Sequence, residues 1–462
     1  MLRFESVVLA VLALSALAAS CGGRSPLSQG STSLGGAGGG STVSTSVTAS
    51  STSASSSGSG GAPFECSSLF LSGSPITYGV SEAEHGSRPA LVPTTDDGAE
   101  VSVVHARTAV DDTSGAPPRI ANVTFSPWGK WPSGLGGEHQ VSWLGGERFA
   151  VAPAWPAAQP GVATIFFLPT DAFPSDIYFA PSAAPDQSYD PHPPGVSWNA
   201  WEPAAVVALA RGSSFHLAAH QIGLASATFM TLVLVDEMLG AVPIHDVTCA
   251  SAPFPADIVT TASGFLVASA SGRAFGACPL DDGIPGPADQ LQVMKLDEAG
   301  KQLSLSFAFD EPDPLAHVVL AKAPHGAWVV WQNDGSSAFQ PAPVRAVRLD
   351  EQGAPLGAVF AVVGDGQTSG PIAAAGVGPL LAVAWVDALD PSTPTLRLDL
   401  FDESGAWVSG SSVNTAPSWL HDPSLSLLPS PDARSILLAW SDRDAPAPAA
   451  VRVARFSCAG LP

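Results

Sequence analysis

The sequence predicts an all-β protein assembled from repeated four-stranded units, and three observations carry that prediction. From about Pro63 onward, runs of five to seven residues rich in Val, Leu, Phe and Trp are separated by Pro, Gly and Asp, and no helical periodicity persists for three turns. A run ending in Trp recurs as Ala327-Trp328-Val329-Val330-Trp331, Leu381-Ala382-Val383-Ala384-Trp385 and Ile436-Leu437-Leu438-Ala439-Trp440, at steps of 54 and 55 residues. A second motif recurs in four copies: Leu296-Asp297-Glu298-Ala299-Gly300, Leu349-Asp350-Glu351-Gln352-Gly353, Phe401-Asp402-Glu403-Ser404-Gly405 and Phe456-Ser457-Cys458-Ala459-Gly460, at steps of 53, 52 and 55, the last three each following one of these runs.

Each unit reads as four strands. Strand A is short, as in residues 371–375. Strand B is the Trp-ending run, followed two residues later by Asn333, Asp387 or Asp442, which suit a strand exit. Strand C is residues 344–349 or 451–456, and strand D is like residues 359–363. An Asp-x-x-Gly between C and D is a tight hairpin, with Gly supplying the positive φ and Asp capping the turn. Strand B is apolar at nearly every position, so both of its faces must be covered. Weaker copies of the B run fall at 101–105, 149–155, 215–220 and 265–269, and Val233-Leu234-Val235-Asp236 leads into Gly240 in place of the second motif. The count is seven units, with six or eight left open.

Four-stranded sheets packed radially between neighbours form a β-propeller. With its Trp-x-Asp and Asp-x-x-Gly repeats the chain resembles bacterial propeller repeats over residues 64–462, clearly from about 264. A two-domain β-sandwich is the alternative. The last unit stops after strand C, and residues 64–71 stand ready to supply its missing strand D. That closure sets Cys66 beside Cys458 and implies a disulfide between them. Cys249 and Cys278 then pair by elimination.

The first twenty residues read as a signal. Arg3 gives a positive start, and residues 7–19 are a run too short for a ~30 Å hydrocarbon core. The run ends Leu17-Ala18-Ala19-Ser20-Cys21, which resembles the lipobox of bacterial lipoproteins. That resemblance implies cleavage before Cys21 and a lipid on its thiol. It departs from the family pattern in carrying Ala18, not Leu, three places before the cysteine. Ordinary cleavage near Ala19 is the alternative. Removing Cys21 leaves an even four cysteines, as an oxidising compartment favours. Residues 21–62 hold the lipidated Cys and a Gly-, Ser- and Thr-rich tether that cannot bury enough apolar surface to fold, with a root-mean-square span of roughly 35 Å. Residues 63–462 form the propeller domain.

The net charge is −22, with only Arg3, Glu5 and Arg24 charged before residue 62. So acidic a body argues against nucleic acid or an anionic membrane surface as partner. No HExxH, Walker loop, GxSxG elbow or CxxC occurs, so no cofactor, metal or catalytic set is expected. His216 and His220, four apart on one strand, lie roughly 13 Å apart, too far for one metal.

The B–C connections, such as 271–290 and 332–343, and the D–A connections, such as 180–203, are long and share one end of the sheets. Loops of this kind commonly carry function. Tyr189, Asp190, His192, Trp198 and Trp201, with Trp419 and His421, offer aromatic stacking and hydrogen bonding for a glycan or a peptide. The expectation is a monomeric, non-catalytic binding or scaffold module, held by a lipid anchor in a bacterial envelope, by preference the outer membrane. Two alternatives stand beside it. One is a carbohydrate-active enzyme using two of Asp190, Glu311, Asp313 and Asp422, whose spacing would fix the chemistry. The other is an envelope-assembly scaffold, resembling the propeller lipoproteins that support outer-membrane machinery.

Overall fold

The computed structural model describes residues 66–78, 84–93, 100–109, 120–130, 139–152, 164–169, 178–181, 204–211, 216–224, 227–235, 241–250, 255–271, 289–333, 342–364, 370–387, 395–413, 425–442 and 450–459. All of them belong to one compact unit, Gly61–Pro462. Cys21, Cys278 and the seven candidate ligand-binding residues Tyr189, Asp190, His192, Trp198, Trp201, Trp419 and His421 lie outside the described residues.

The described elements are all strands. β1 (Ser68–Leu71) and β2 (Ile76–Tyr78) come first. A six-stranded meander follows: β3 (Glu84–Pro93), β4 (Glu100–Ala109), β5 (Ile120–Lys130), β6 (His139–Ala152), β7 (Thr164–Pro169) and β8 (Tyr178–Pro181). Then come four four-stranded antiparallel sheets. They are β9 (Ala204–Arg211) to β10 (His216–Leu224), β11 (Ala227–Val235) and β12 (Ala241–Ala250); β13 (Ala256–Thr261) to β14 (Gly264–Ser271), β15 (Gln290–Leu296) and β16 (Gln302–Asp310); β17 (Leu315–Ala323) to β18 (Gly326–Asn333), β19 (Val344–Leu349) and β20 (Phe360–Val363); and β21 (Ala373–Val377) to β22 (Leu380–Asp387), β23 (Thr395–Phe401) and β24 (Trp407–Val413). The last sheet is β25 (Leu425–Pro429), β26 (Ser435–Asp442) and β27 (Ala450–Ala459), with β1 and β2 both paired to β27.

The expected strands C at 344–349 and 451–456 are β19 and the body of β27, and strand B is the second strand of its sheet at β14, β18, β22 and β26. The described strands fall into six sheets. The runs at 101–105 and 149–155, read as strands B of two separate units, share the six-stranded sheet. β6 joins its two halves: residues up to Gly146 pair with β5, and those from Gly146 onward pair with β7. Residues 149–152 therefore sit in the strand that packs on β9, a first-strand position rather than a second. A run of three or four apolar residues beside Gly145 and Gly146 fits either place, so pattern alone did not separate them.

Successive sheets pack face to face, β9 against β13, β13 against β17, β17 against β21 and β21 against β25; β25 and β26 pack against β3. Strand alternation makes each second strand a wall between two cores. In β18, Ala327, Val329 and Trp331 join the cluster on the β13–β16 side, while Trp328 and Val330 join Leu381, Val383 and Trp385 on the β21–β24 side. Ala382, Ala384 and Val386 of β22 then meet Ile436, Leu438 and Trp440, and Leu437 and Ala439 meet Leu91, Val101 and Val103. The recurring Trp331, Trp385 and Trp440 thus each face the preceding sheet and are buried.

Polar side chains tie first strands together across the sheet boundary. Asp257 Oδ2 accepts from the Leu320 amide at 2.7 Å, and Ser426 Oγ accepts from the Leu91 amide at 2.9 Å. Asp257 and Ser426 hold equivalent ladder positions, opposite Ala268 and Ala439. Burial between the strands pushes the Asp257 carboxyl up to about 6, against the lowering effect of its bonds from the Leu320 and Ile258 amides.

The hairpin chemistry follows the motif. Gly300, Gly353 and Gly405 have φ of 75°, 82° and 82°. Asp350 Oδ1 accepts from the amides of Gln352 and Ala354, and Asp402 Oδ1 from those of Ser404 and Ala406. Glycine is also required between strands A and B. Gly326 has φ 107°, and a Cβ there would lie 2.2 Å from the Leu349 carbonyl oxygen. Gly326→Ala is expected to destabilise the protein by about 2–3 kcal/mol, read as a lower urea midpoint with unchanged slope. An effect within about 0.5 kcal/mol, the range of an ordinary surface change, would contradict the close approach.

Candidate functional site

Two polar sets interrupt the apolar walls. The first lies at the end of the sheets that carries the long connections. Glu311 closes the D-to-A turn between β16 and β17 and is 6% exposed. Its Oε1 accepts from Trp331 Nε1 at 2.6 Å; its Oε2 accepts from Asn333 Nδ2 at 3.2 Å and pairs with Arg345 Nη1. Asn333 Nδ2 donates also to the Asp313 carbonyl at 3.0 Å. The Asn that follows the Trp by two residues is therefore a clamp on the neighbouring turn as well as a strand exit. Glu311 was a candidate catalytic carboxylate. Its oxygens are instead held by three internal donors, so it anchors a loop and has no free edge for a substrate.

The second set centres on Asp399, buried in the interior of β23 at 3% exposure. It accepts from Trp385 Nε1 at 2.8 Å and Trp407 Nε1 at 3.0 Å, with Arg397 Nη2 at 3.4 Å. Arg397 lies over the Trp385 ring, 5.1 Å from its centre. Gly410 sits opposite because a Cβ there would fall 2.1 Å from Asp399 Oδ1. Trp407 stays 60% exposed although its N–H is fixed, an aromatic face held in one orientation at the outer strand. Sequence reading missed Asp399. Its only signal is an acid inside the apolar alternation Leu396-Arg397-Leu398-Asp399-Leu400.

At the opposite end, Cys66 and Cys458 form the expected disulfide, with Cα atoms 5.0 Å apart. Leu69 and Cys458 are ladder partners, and the Leu69 amide donates to Ser409 Oγ of β24 at 2.9 Å. Beside the bridge is an open cleft of about 350 Å3 lined by Ser430, Asp432, Arg434, Ser435, Arg455, Ser457 and Cys458. The sequence reading singled out only Cys458 of these. Cys249 lies in β12 opposite Phe229, and its proposed partner Cys278 is outside the described residues. His216 and His220 both lie on β10, four positions apart.

No protein-family model matches the sequence, and no curated protein matches it. Among solved structures, the chain is similar to a protein of unknown function from Dyadobacter fermentans, at 11% identity and a TM-score of 0.47, covering 85% of this chain and 99% of that one. It is also similar to the Aleuria aurantia lectin in complex with alpha-methyl-L-fucoside, at 9% identity and a TM-score of 0.41, covering 74% and 99%. A subtype N11 neuraminidase-like protein from a flat-faced bat isolate from Peru matches at 10% identity and a TM-score of 0.36, covering 86% and 95%. All three TM-scores lie below 0.5, and the description of the fold rests on this chain's own sheets.

Proposed function

We propose that this chain is a lipid-anchored extracytoplasmic protein presenting a binding or scaffold module, built as a closed β-propeller of about seven units. The observation that carries the reading is where the chain enters the domain. Cys66 is bonded to Cys458 at the end of the sheets that holds the short A–B and C–D turns. The long B–C and D–A connections leave from the opposite end of the sheets. Glu311 braces one of those connections from below, which suits a firm platform for ligand contact. The succession of packed sheets, with β25 and β26 against β3, supports closure. The change of partner at Gly146 within β6 supports two units inside the six-stranded sheet, hence seven. A Cys249–Cys278 bridge belongs to the same proposal. The carbohydrate-active alternative is left with Asp190, Asp313 and Asp422.

Two experiments test the reading. Cys21→Ser in the full chain, expressed in a bacterial host, is expected to move the protein almost completely from the membrane fraction to the soluble extracytoplasmic fraction. A variant that stays bound removes the lipid anchor and leaves the domain untouched. Binding is read by incubating the full-length protein in detergent with a panel of insoluble polysaccharides and envelope extracts. Retention is expected, weakened by Trp198→Ala combined with Trp201→Ala. Equal retention of that variant would remove these residues from the binding face.

A further inference from the structure

The four copies of the C–D motif are preceded by Lys295, Arg348, Leu400 and Arg455, and their third positions are Glu298, Glu351, Glu403 and Cys458. The structure couples the first set to the second across neighbouring sheets. Lys295 is fully buried on β15 and donates to Thr261 Oγ1. Burial pulls its amine below the ordinary lysine range, and the charge of Glu351, from the following sheet, opposes that shift. Glu351 also accepts from the amides of Ala262 and Gly326, which holds it at the boundary. One sheet on, Arg348 lies over the Trp328 ring and pairs with Glu403 at 3.3 Å. One sheet further, Leu400 replaces the cation and Cys458 replaces the acid, and both belong to one apolar cluster. The first three residues of the first set thus meet matching chemistry in the next sheet.

Arg455 is the fourth of the set, and the sheet that follows it is β3–β8. Among the described residues its guanidinium bonds only Ser435 Oγ, from Nη2 at 2.8 Å and Nε at 3.2 Å. The cleft of about 350 Å3 opens here, with Arg434 as a second cation and the hydroxyls of Ser430, Ser435 and Ser457 on its wall. It gathers two guanidinium groups in a chain of net charge −22.

We propose that this cleft binds a monocarboxylate, whose carboxyl group takes at Arg455 the place that Glu351 and Glu403 take at Lys295 and Arg348. A guanidinium offers a carboxylate two parallel N–H donors, which fixes orientation as well as charge. Asp432 selects against more highly charged anions. Its carboxylate accepts from Ser430 Oγ at 2.6 Å and from the Arg434 amide at 3.0 Å. Burial works to raise it, but the Ser430 hydroxyl, the Arg434 amide and the Arg434 charge hold it below the ordinary carboxylate range. It stays ionised, and its negative charge at the cleft works against ligands that carry more than one charge.

The test is isothermal titration of the full-length protein in detergent, at constant ionic strength, with N-acetylglycine for a peptide terminus and glucuronate for a sugar acid. Inorganic phosphate and glucose are the comparison ligands. Saturable binding of at least one carboxylate is expected, and whichever binds names the source. Arg455→Gln should weaken it about tenfold or more; Arg434→Gln, at an exposed position, should weaken it too and decides the matter if the first variant fails to fold. Arg397→Gln, in another sheet, should leave it unchanged. No saturable binding, phosphate binding as tightly, or an affinity indifferent to Arg434 and Arg455 would overturn the proposal.

Discussion

Replacing Cys66 and Cys458 together by serine is expected to lower the unfolding free energy of the domain by about 4–5 kcal/mol. The bridge spans 392 residues, so in the chain-entropy account it restrains the unfolded chain near the upper limit for a single crosslink. Beyond its ladder with β27 and the bond from the Leu69 amide to Ser409, little else is seen to hold β1. It is four residues long, Leu69 is its one buried side chain, and Phe70 is 48% exposed. Without the bond, β1 should leave β27, and amide exchange should rise together in Leu69, Leu71 and their partners Phe456 and Cys458→Ser. The substitution is preferable to a reductant, which would act on every cysteine. The readout is the urea midpoint at unchanged slope. A change below about 1 kcal/mol, no more than an ordinary point substitution, would show that strand pairing alone secures this edge.

Glu311→Ala is expected to cost about 3–4 kcal/mol, because it strips the acceptor from a buried indole N–H, an Asn amide and an Arg together. Arg345 can turn partly to water, its side chain being 29% exposed, which keeps the figure below that of a wholly buried pair. Trp331→Phe removes the principal donor. Combined with Glu311→Ala it should cost less than the two separately, by about 1 kcal/mol or more. Strict additivity would mean that Glu311 does not anchor Trp331. Binding by the loop-bearing end should weaken in Glu311→Ala at temperatures where the protein is still folded, if the brace matters to the platform.

The repeat carried most of what could be read from the sequence. Trp331, Trp385 and Trp440 mark a strand whose every residue is enclosed, and an unbroken apolar run with a fixed terminal aromatic is legible at any burial depth. Asp350 and Asp402 were legible because one residue both caps a turn and stands three before its glycine. The pairing of β1 with β27 was legible from a deficit, a last unit lacking its fourth strand. The features that escaped are those where one residue serves another far along the chain. Glu311 reads as a loop acid until Trp331 and Arg345 are seen on either side of it. Asp399 breaks an alternation for the sake of two indoles, and Asp257 serves an amide of the next sheet. The join through Gly146 escaped for a different reason: two adjacent glycines suit a turn and a through-running strand equally, and only the partners decide. The loop residues expected to meet a ligand, from Tyr189 to Trp201 with Trp419 and His421, fall outside the described residues.

The pairing of β1 with β27 also sets an order of events for a growing chain. β1 leaves the ribosome before every other described strand, and its ladder partner, β27, after all of them. Until residue 459 emerges, the outer edge of the final sheet does not exist, and the first strand has nothing to pair with. The intervening sheets can form one after another from local hairpins, while the seam waits for the most distant contact in the domain. A chain that stopped before β27 would lack the strand that both β1 and β26 pair with, and the Cys66 thiol would be left without its partner. Closure of this sheet is thereby tied to synthesis of its most distant strand.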